Sequence, residues 1–316
     1  MSKEFYQDDS NSWVALLPFR TPRKRIPNNR QYADSWFIFI ERKLNRNPEM
    51  KKHFDDFMQK VFERDLAKPA PPLTQGEECW YLPCFGVYHP HKPDQIRVVF
   101  DSSARYEDVS LNENLLTGPN LNNNLLGDLY HFRQEPIAIM AEIQHMFHCF
   151  IFREDDRNFL RFRWYRNNDV NDEVIDYWMK VHIFGNSPSP AVAIYGQRET
   201  AQEGKQEFGS DARQFVERNF YVDDGLKSLP TEAEAIDLLT RTQNMLATAK
   251  LRLHKIISNS NEVMRAFPSD DHAISVKEFQ LGSDLTLSQR SRGLLWDVDL
   301  LRMQGVPVRP APSTGM

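Results

Sequence analysis

Two adjacent aspartates, Asp223 and Asp224, follow the apolar run Phe220-Tyr221-Val222 and precede Gly225. Neighbouring carboxylates repel each other, so the pair suits a place that needs concentrated negative charge on a rigid support. Adjacent strand residues point to opposite faces, and the two acids converge only where the strand bends. Gly225 is expected to supply that bend, because glycine tolerates positive φ. The stretch then reads as a β-turn-β with carboxylates at its tip. Hard oxygen ligands in such a position suit Mg²⁺, which takes one or two protein carboxylates plus substrate phosphates. Two such ions support in-line displacement at phosphorus.

Other reactive residues give weaker signals. His145, His148 and Cys149 in "HMFHC" invite a zinc site, but the spacing matches no zinc signature and reads as packing. The remaining cysteines, Cys79 and Cys84, read as buried thiols of an intracellular, cytoplasmic or nuclear protein. A basic cluster holds Arg20, Arg23, Lys24, Arg25 and Arg30. It is compatible with phosphate contacts, with nuclear localisation, or with a solvated linker. The net charge of −5 argues against tight nucleic-acid binding by the surface as a whole, though not against a local basic groove. No apolar run approaches the roughly 18–20 residues of a membrane span, and no partner protein is evident.

The elements that must position these residues follow from pattern. The chain has 316 residues, enough for a sizeable core. Residues 1–30 read as an irregular leader, followed by two helices. Asn47 caps the second, Pro48 takes its first position, and Met50, Phe54, Phe57, Met58, Val61 and Phe62 keep helical spacing. That stripe reads as core rather than as a partner groove. "CWYLPCFGVYHP", "IRVVFDSS", "IAIMAEI" and "LRLHKIIS" read as strands. In "NFLRFRWYR", Leu160, Phe162 and Trp164 share one face, with Arg161 and Arg163 on the other. "NNNLLGDLYHFR" and "SPSPAVAIYGQRETAQ" read as helices, the second after a turn. A further helix begins at a Thr231/Glu234 capping box. Strands and helices mix without a βαβ rhythm, which favours α+β.

Taken in order, several segments resemble one family. "NFYVDDGLKS" resembles the YxDD box of reverse transcriptases. "CWYLPCFGVYHPHKPDQIRVVFDSSA", "SLNENLLTGPNLNNNLLGDL", "FREDDRNFLRF", "KVHIFGNSPSPAVAIYG", "GSDARQFVERNFYVDDGLKS" and "LRLHKIISNS" resemble the reverse-transcriptase part of Bel/Pao long-terminal-repeat retrotransposon polyproteins. The resemblance covers roughly residues 13–298 and implies a right-hand polymerase. It implies a leader over 1–75, fingers and palm over 76–260, and an incomplete thumb with an irregular tail over 261–316.

It also implies roles. Asp223 and Asp224 match the metal-holding acids, with Tyr221 beside them. Arg97, with Lys92 nearby, would grip the incoming triphosphate, since a guanidinium holds phosphate oxygens bidentately. The alternative for Arg97 is an outward residue in a solvent pair. Gly185, Ser189 and Pro190 would shape the surface under the template and incoming base, or simply start a helix. Lys255 would protonate or hold the departing pyrophosphate, or lie as a snorkelling surface lysine. Gly293 and Trp296 match a primer-gripping hairpin. The implied partners are an RNA or DNA template-primer and dNTPs, and the implied cofactor is Mg²⁺, with Mn²⁺ as the alternative.

Two features depart from the family. Its first metal-binding acid sits in a pattern like "ADIxxMF", whereas this chain has "AEIQHMF". Glu142 therefore stands at the aspartate position, with Ile143 offering its backbone carbonyl. Phe147 keeps the spacing of the aromatic that excludes a 2′-hydroxyl. The extra methylene of Glu142 pushes its carboxylate out by about 1 Å, a shift that can cost on the order of 10²-fold in rate. After Asp297 the proline-rich end is unlike a thumb, and no Asp-Thr/Ser-Gly peptidase triplet occurs. Two functions follow: an RNA-directed DNA polymerase domain using two-metal nucleotidyl transfer, or a catalytically inactive retroelement-derived protein that folds and binds nucleic acid.

Overall fold

The computed structural model describes residues 5–89, 92–124, 132, 134–273 and the strands Ser288–Ser291, Leu294–Asp297 and Arg302–Gly305. Helices and mainly antiparallel sheets occur without βαβ alternation, so the class is α+β. Contacts divide the chain into two units, Met1–Leu121 with His145–Gly196, and Asn122–Gln144 with Gln197–Met316.

In the first unit, helices Arg30–Arg46 and Pro48–Glu63 lie beside three small sheets. The second helix starts as its sequence dictates. Asn47 Oδ1 accepts from the Met50 backbone amide at 3.0 Å, and Pro48 needs no amide partner there. Its stripe is core: Met50, Phe54, Met58 and Val61 are buried, and Phe57 and Phe62 pack against the same cluster. The Phe54 ring stacks on Trp164 at 5.1 Å. Full burial of one such side chain stabilises by about 1.5–3 kcal/mol.

One local expectation needs correction here. Residues 1–30 are not irregular throughout. Trp13–Ala15 is a buried strand pairing in parallel with Phe150–Phe152, and Phe5–Gln7 adds to it. Of the basic cluster, Arg23 pairs with Glu78 at 2.7 Å, and Arg25 donates to the Gly76 carbonyl at 3.0 Å. The strand Arg161–Tyr165 alternates as expected, but its polar side is also covered. Arg161 is 1% exposed. The Asp176 carboxylate gathers Arg163 at 2.5 Å, Arg161 and Arg30 at 3.5 Å each, and the Tyr81 hydroxyl at 2.8 Å. A buried cation needs such partners.

The second unit is built on a four-stranded antiparallel sheet. Its order is Phe220–Tyr221, Asp224–Leu229, Ile137–Ile143, Leu253–Ser258. Helices Ser210–Asn219 and Glu232–Ala247 pack on it. Thr231 caps the latter, its hydroxyl accepting from the Glu234 amide at 3.3 Å. Ala138, Ile139, Ala141 and Ile143 on the central strand are essentially inaccessible, as are Leu226, Leu239 and Leu246 around them. The expected helix through Leu125, Leu126, Leu129 and Phe132 falls largely outside the described residues.

Candidate active site

The carboxylates are placed by a hairpin with a two-residue turn. Tyr221 pairs with Asp224, leaving Val222 and Asp223 at the tip. Val222 carries the positive φ, +58°, a conformation disfavoured for a β-branched residue. Gly225 does not supply the bend. It lies in the strand Asp224–Leu229, and no positive φ is found there. Glycine is needed for space instead, because a Cβ at 225 would come within 2.5 Å of the Phe220 ring. That ring is fixed edge-on against Phe215 at 5.2 Å. Asn123 Nδ2 donates to the Phe220 and Glu217 carbonyls at 2.7 and 3.0 Å, anchoring the base of the hairpin.

Across the sheet, Glu142 is the register partner of Asp224 on one side and of His254 on the other. Register partners in an antiparallel pair project to the same face. Asp224, Glu142 and His254 therefore form one row across three strands. Asp223 joins from the turn, its carbonyl accepting from the Ile143 amide at 2.9 Å. Lys255 follows His254 and, in a regular strand, would point to the opposite face. The register shifts between His254 and Ile257, and Lys255 has φ +49°. This bulge re-aims the side chain. Lys255 Nζ donates to Glu142 Oε2 at 2.6 Å, while His254 Nε2 lies 3.9 Å from Glu142 Oε1.

The electrostatics follow from this crowding. Burial, then the charges of Asp224 and Glu142, push the Asp223 carboxyl up to about 6. Burial also raises Glu142, but His254 and Lys255 outweigh it and hold its carboxyl below the usual range. The donor chemistry of Asp223 and Asp224 suits a hard cation. The third carboxylate is already engaged by an ammonium. Among the described residues, no three His, Cys, Asp or Glu side chains converge closely enough to hold an ion. In this arrangement the set does not fit a pair of metal ions.

The expected nucleotide-binding residues lie in the first unit. Arg97 is exposed on the strand Lys92–Phe100, which Lys92 opens, and its guanidinium stands 5.7 Å over the Phe184 ring. Phe147 is buried in a short 3₁₀ turn, its ring 4.6 Å from Phe184. Phe184 itself is 53% exposed and was not singled out by sequence. An aromatic immediately before a left-handed glycine, Gly185 at φ +92°, is the signal that marks it. Ser189 is buried and opens the helix Ser189–Glu203, its hydroxyl 3.1 Å from His182 Nδ1, and Pro190 is exposed on the first turn. In "HMFHC", burial pushes His148 down to about 4, and the Cys149 thiol donates to the His145 carbonyl at 3.8 Å. Gly293 lies outside the described residues, and Trp296 lies on the strand Leu294–Asp297.

No family model matches the chain, and no curated protein matches it. Solved structures do. The foamy viral protease-reverse transcriptase in complex with dsDNA aligns with a TM-score of 0.51 at 13% identity, over 81% of this chain and 41% of that one. The fold is reverse transcriptase-like. The selenomethionine-labelled Prototype Foamy Virus protease-reverse transcriptase mutant aligns at 0.49 and 16% identity, over 75% of this chain and 25% of that one. A foamy viral protease-reverse transcriptase with double-stranded DNA aligns at 0.47 and 16%, over 78% and 34%. This chain thus spans less than half the length of each. No helix among the described residues is long and apolar enough to cross a membrane.

Proposed function

We propose that this chain is the RNA-directed DNA polymerase module of a retroelement of the Bel/Pao type, acting on a template-primer with dNTPs. The observation that carries this is the registration of Asp224 with Glu142, with Asp223 at the adjoining turn. It places three acids of the motif order at one end of one sheet. In this reading the first unit provides the fingers, with Arg97 and Phe184 presenting a guanidinium and an aromatic face to a nucleotide. Arginine grips phosphate oxygens, and an exposed ring offers a stacking surface. The second unit provides the palm. Asp223 and Asp224 are the residues that would hold Mg²⁺ or Mn²⁺, the cation supplying positive charge for phosphoryl transfer.

The engagement of Glu142 by Lys255 favours a second reading, a palm that binds nucleic acid and catalyses nothing. Primer extension on poly(rA)/oligo(dT) by the purified chain, in Mg²⁺ and in Mn²⁺, separates the two. Extension abolished by Asp223→Asn supports the polymerase. Binding of the template-primer without extension in either ion supports the inactive palm.

A further inference from the structure

We propose that a cleft in the first unit, walled by residues 69–72 and 174–176 and by Arg30, Arg163 and Arg166, binds a small phosphate monoester carried on a flat apolar body. The proposal stands apart from the polymerase reading and uses none of its residues.

The cleft itself is the first observation. Its volume is about 350 Å³. That is the lower end of the roughly 300–1,000 Å³ typical of small-molecule sites, so it admits a molecule of one or two rings. Its walls are fixed in advance. The Ala70 amide donates to the Asp176 carbonyl at 2.8 Å, and the Pro71 carbonyl accepts from Arg161 Nη2 at 2.8 Å. Pro69, Pro71 and Pro72 have φ locked by their rings. A wall that needs no ordering costs little affinity. These prolines, with Val174 and Ile175 opposite, supply the apolar lining.

Charge is the second observation. The ion pairs around the cleft join four guanidiniums, of Arg30, Arg161, Arg163 and Arg166, to three carboxylates, of Asp34, Glu173 and Asp176. One positive charge is left over. Two of these arginines are loosely engaged. Arg30 stands 3.9 Å from Asp34 and 3.5 Å from Asp176, with its side chain 46% exposed. Arg166 pairs with Glu173, whose side chain is 64% exposed, and such open pairs are weak. Both guanidiniums can therefore turn to a ligand. Two planar forks suit the tetrahedral oxygens of a phosphate better than a single flat carboxylate. The third observation is the helix that Arg30 opens, Arg30–Arg46. Its first turn holds no acid, and the Asn29 side chain is spent on the Tyr81 backbone at 2.7 Å instead of capping it. The positive end of the helix dipole thus adds to the field of the arginines.

The test is calorimetric titration of the full chain at low salt with phenyl phosphate, inorganic phosphate and benzoate. Phenyl phosphate should saturate the chain with a Kd of about 1 mM or below. Inorganic phosphate should bind on the order of tenfold more weakly, as removing roughly 50 Å² of apolar ring from water implies. Benzoate should also bind more weakly than the ester. Arg30→Gln and Arg166→Gln should each weaken phenyl phosphate binding about tenfold, the size of one hydrogen bond to a charged group. Glu173→Gln should tighten it about twofold by releasing Arg166, a gain that misfolding cannot produce. Ala70→Phe should abolish binding by filling the cleft. Titration with 5′-AMP tells a nucleoside body from a simple aryl one, and saturation by either ester supports the proposal. No saturable binding of either ester overturns it, as do equal affinities for phenyl and inorganic phosphate. Unchanged affinity in Arg30→Gln, Arg166→Gln and Glu173→Gln overturns it too. Loss of binding in Arg97→Ala with Arg166→Gln unaffected places the anion over Phe184 and rejects the cleft.

Discussion

Asp224 and Glu142 stand opposite each other across an antiparallel strand pair, and His254 stands opposite Glu142 on the far side. The consequence is that the length of the side chain at 142 decides whom its carboxylate meets. The glutamate reaches Lys255 Nζ at 2.6 Å. An aspartate would end a methylene short, drawing the carboxylate back toward the row. On the polymerase reading, Glu142→Asp is therefore expected to raise Mg²⁺-dependent nucleotide addition about tenfold or more, since displacements near 1 Å weigh heavily on rate. Asp223→Asn in that background should abolish the gain. Primer extension reads the effect. A folded but inert Glu142→Asp protein would show that the glutamate is not what limits the site.

Asp223 gives a stability prediction with a defined pH window. Its carboxyl is raised from 3.8 to about 6, first by burial and then by Asp224 and Glu142. A group that binds its proton more tightly folded than unfolded loses stability as pH rises between those values. Asp223→Asn removes that loss. The variant should be more stable than wild type by about 1–3 kcal/mol above pH 6, with the gap closing toward pH 4. Urea denaturation across pH 4–8 measures it. A gap that grows as the pH falls would contradict the assignment.

Local signals were legible in the sequence and long-range ones were not. The helix Pro48–Glu63 could be read because its cap, its proline and its stripe all lie within the element. The hairpin could be read, but not which residue strains to make it. A glycine next to an expected bend is the natural candidate, yet Val222 bears the left-handed φ while Gly225 yields space to Phe220. Strand alternation assigned Arg161 and Arg163 to one face but could not show that Tyr81 and Asp176 close over it. The same rule places Lys255 on the wrong face, because a bulge is invisible to periodicity. The pairing of Trp13–Ala15 with Phe150–Phe152 joins segments far apart in the chain, and three-residue strands carry almost no pattern.

The hairpin predicts opposite signs for two neighbouring substitutions. Val222→Gly relieves a left-handed β-branched residue, worth about 1–3 kcal/mol, against roughly 1 kcal/mol of added chain entropy. A net gain of about 1 kcal/mol is expected. Gly225→Ala should destabilise by about 1–3 kcal/mol, because its Cβ would come within 2.5 Å of the Phe220 ring. Chemical denaturation of both variants checks this. If Gly225→Ala is neutral and Val222→Gly destabilises, the strain lies where the sequence first suggested.

The last prediction concerns nucleotide binding by the first unit. Arg97 lies over Phe184, and Phe147 meets Phe184 edge-on, so the ring is held from two sides while about half of it stays open. Arg97→Ala would remove both a phosphate-gripping fork and the cation that stacks on the ring. On the polymerase reading this should raise KM for dNTP about tenfold or more, a loss of order 1–3 kcal/mol typical of a charged hydrogen bond. Arg97→Lys should recover little, because an ammonium neither grips two oxygens in a plane nor stacks. Phe184→Ala should also raise KM, with little change in stability, since an exposed ring contributes little to the core. Steady-state kinetics with single-nucleotide addition separates KM from kcat. A fall in kcat alone, with KM unchanged in both variants, would place these two residues outside nucleotide binding and leave the guanidinium on the ring as a surface contact.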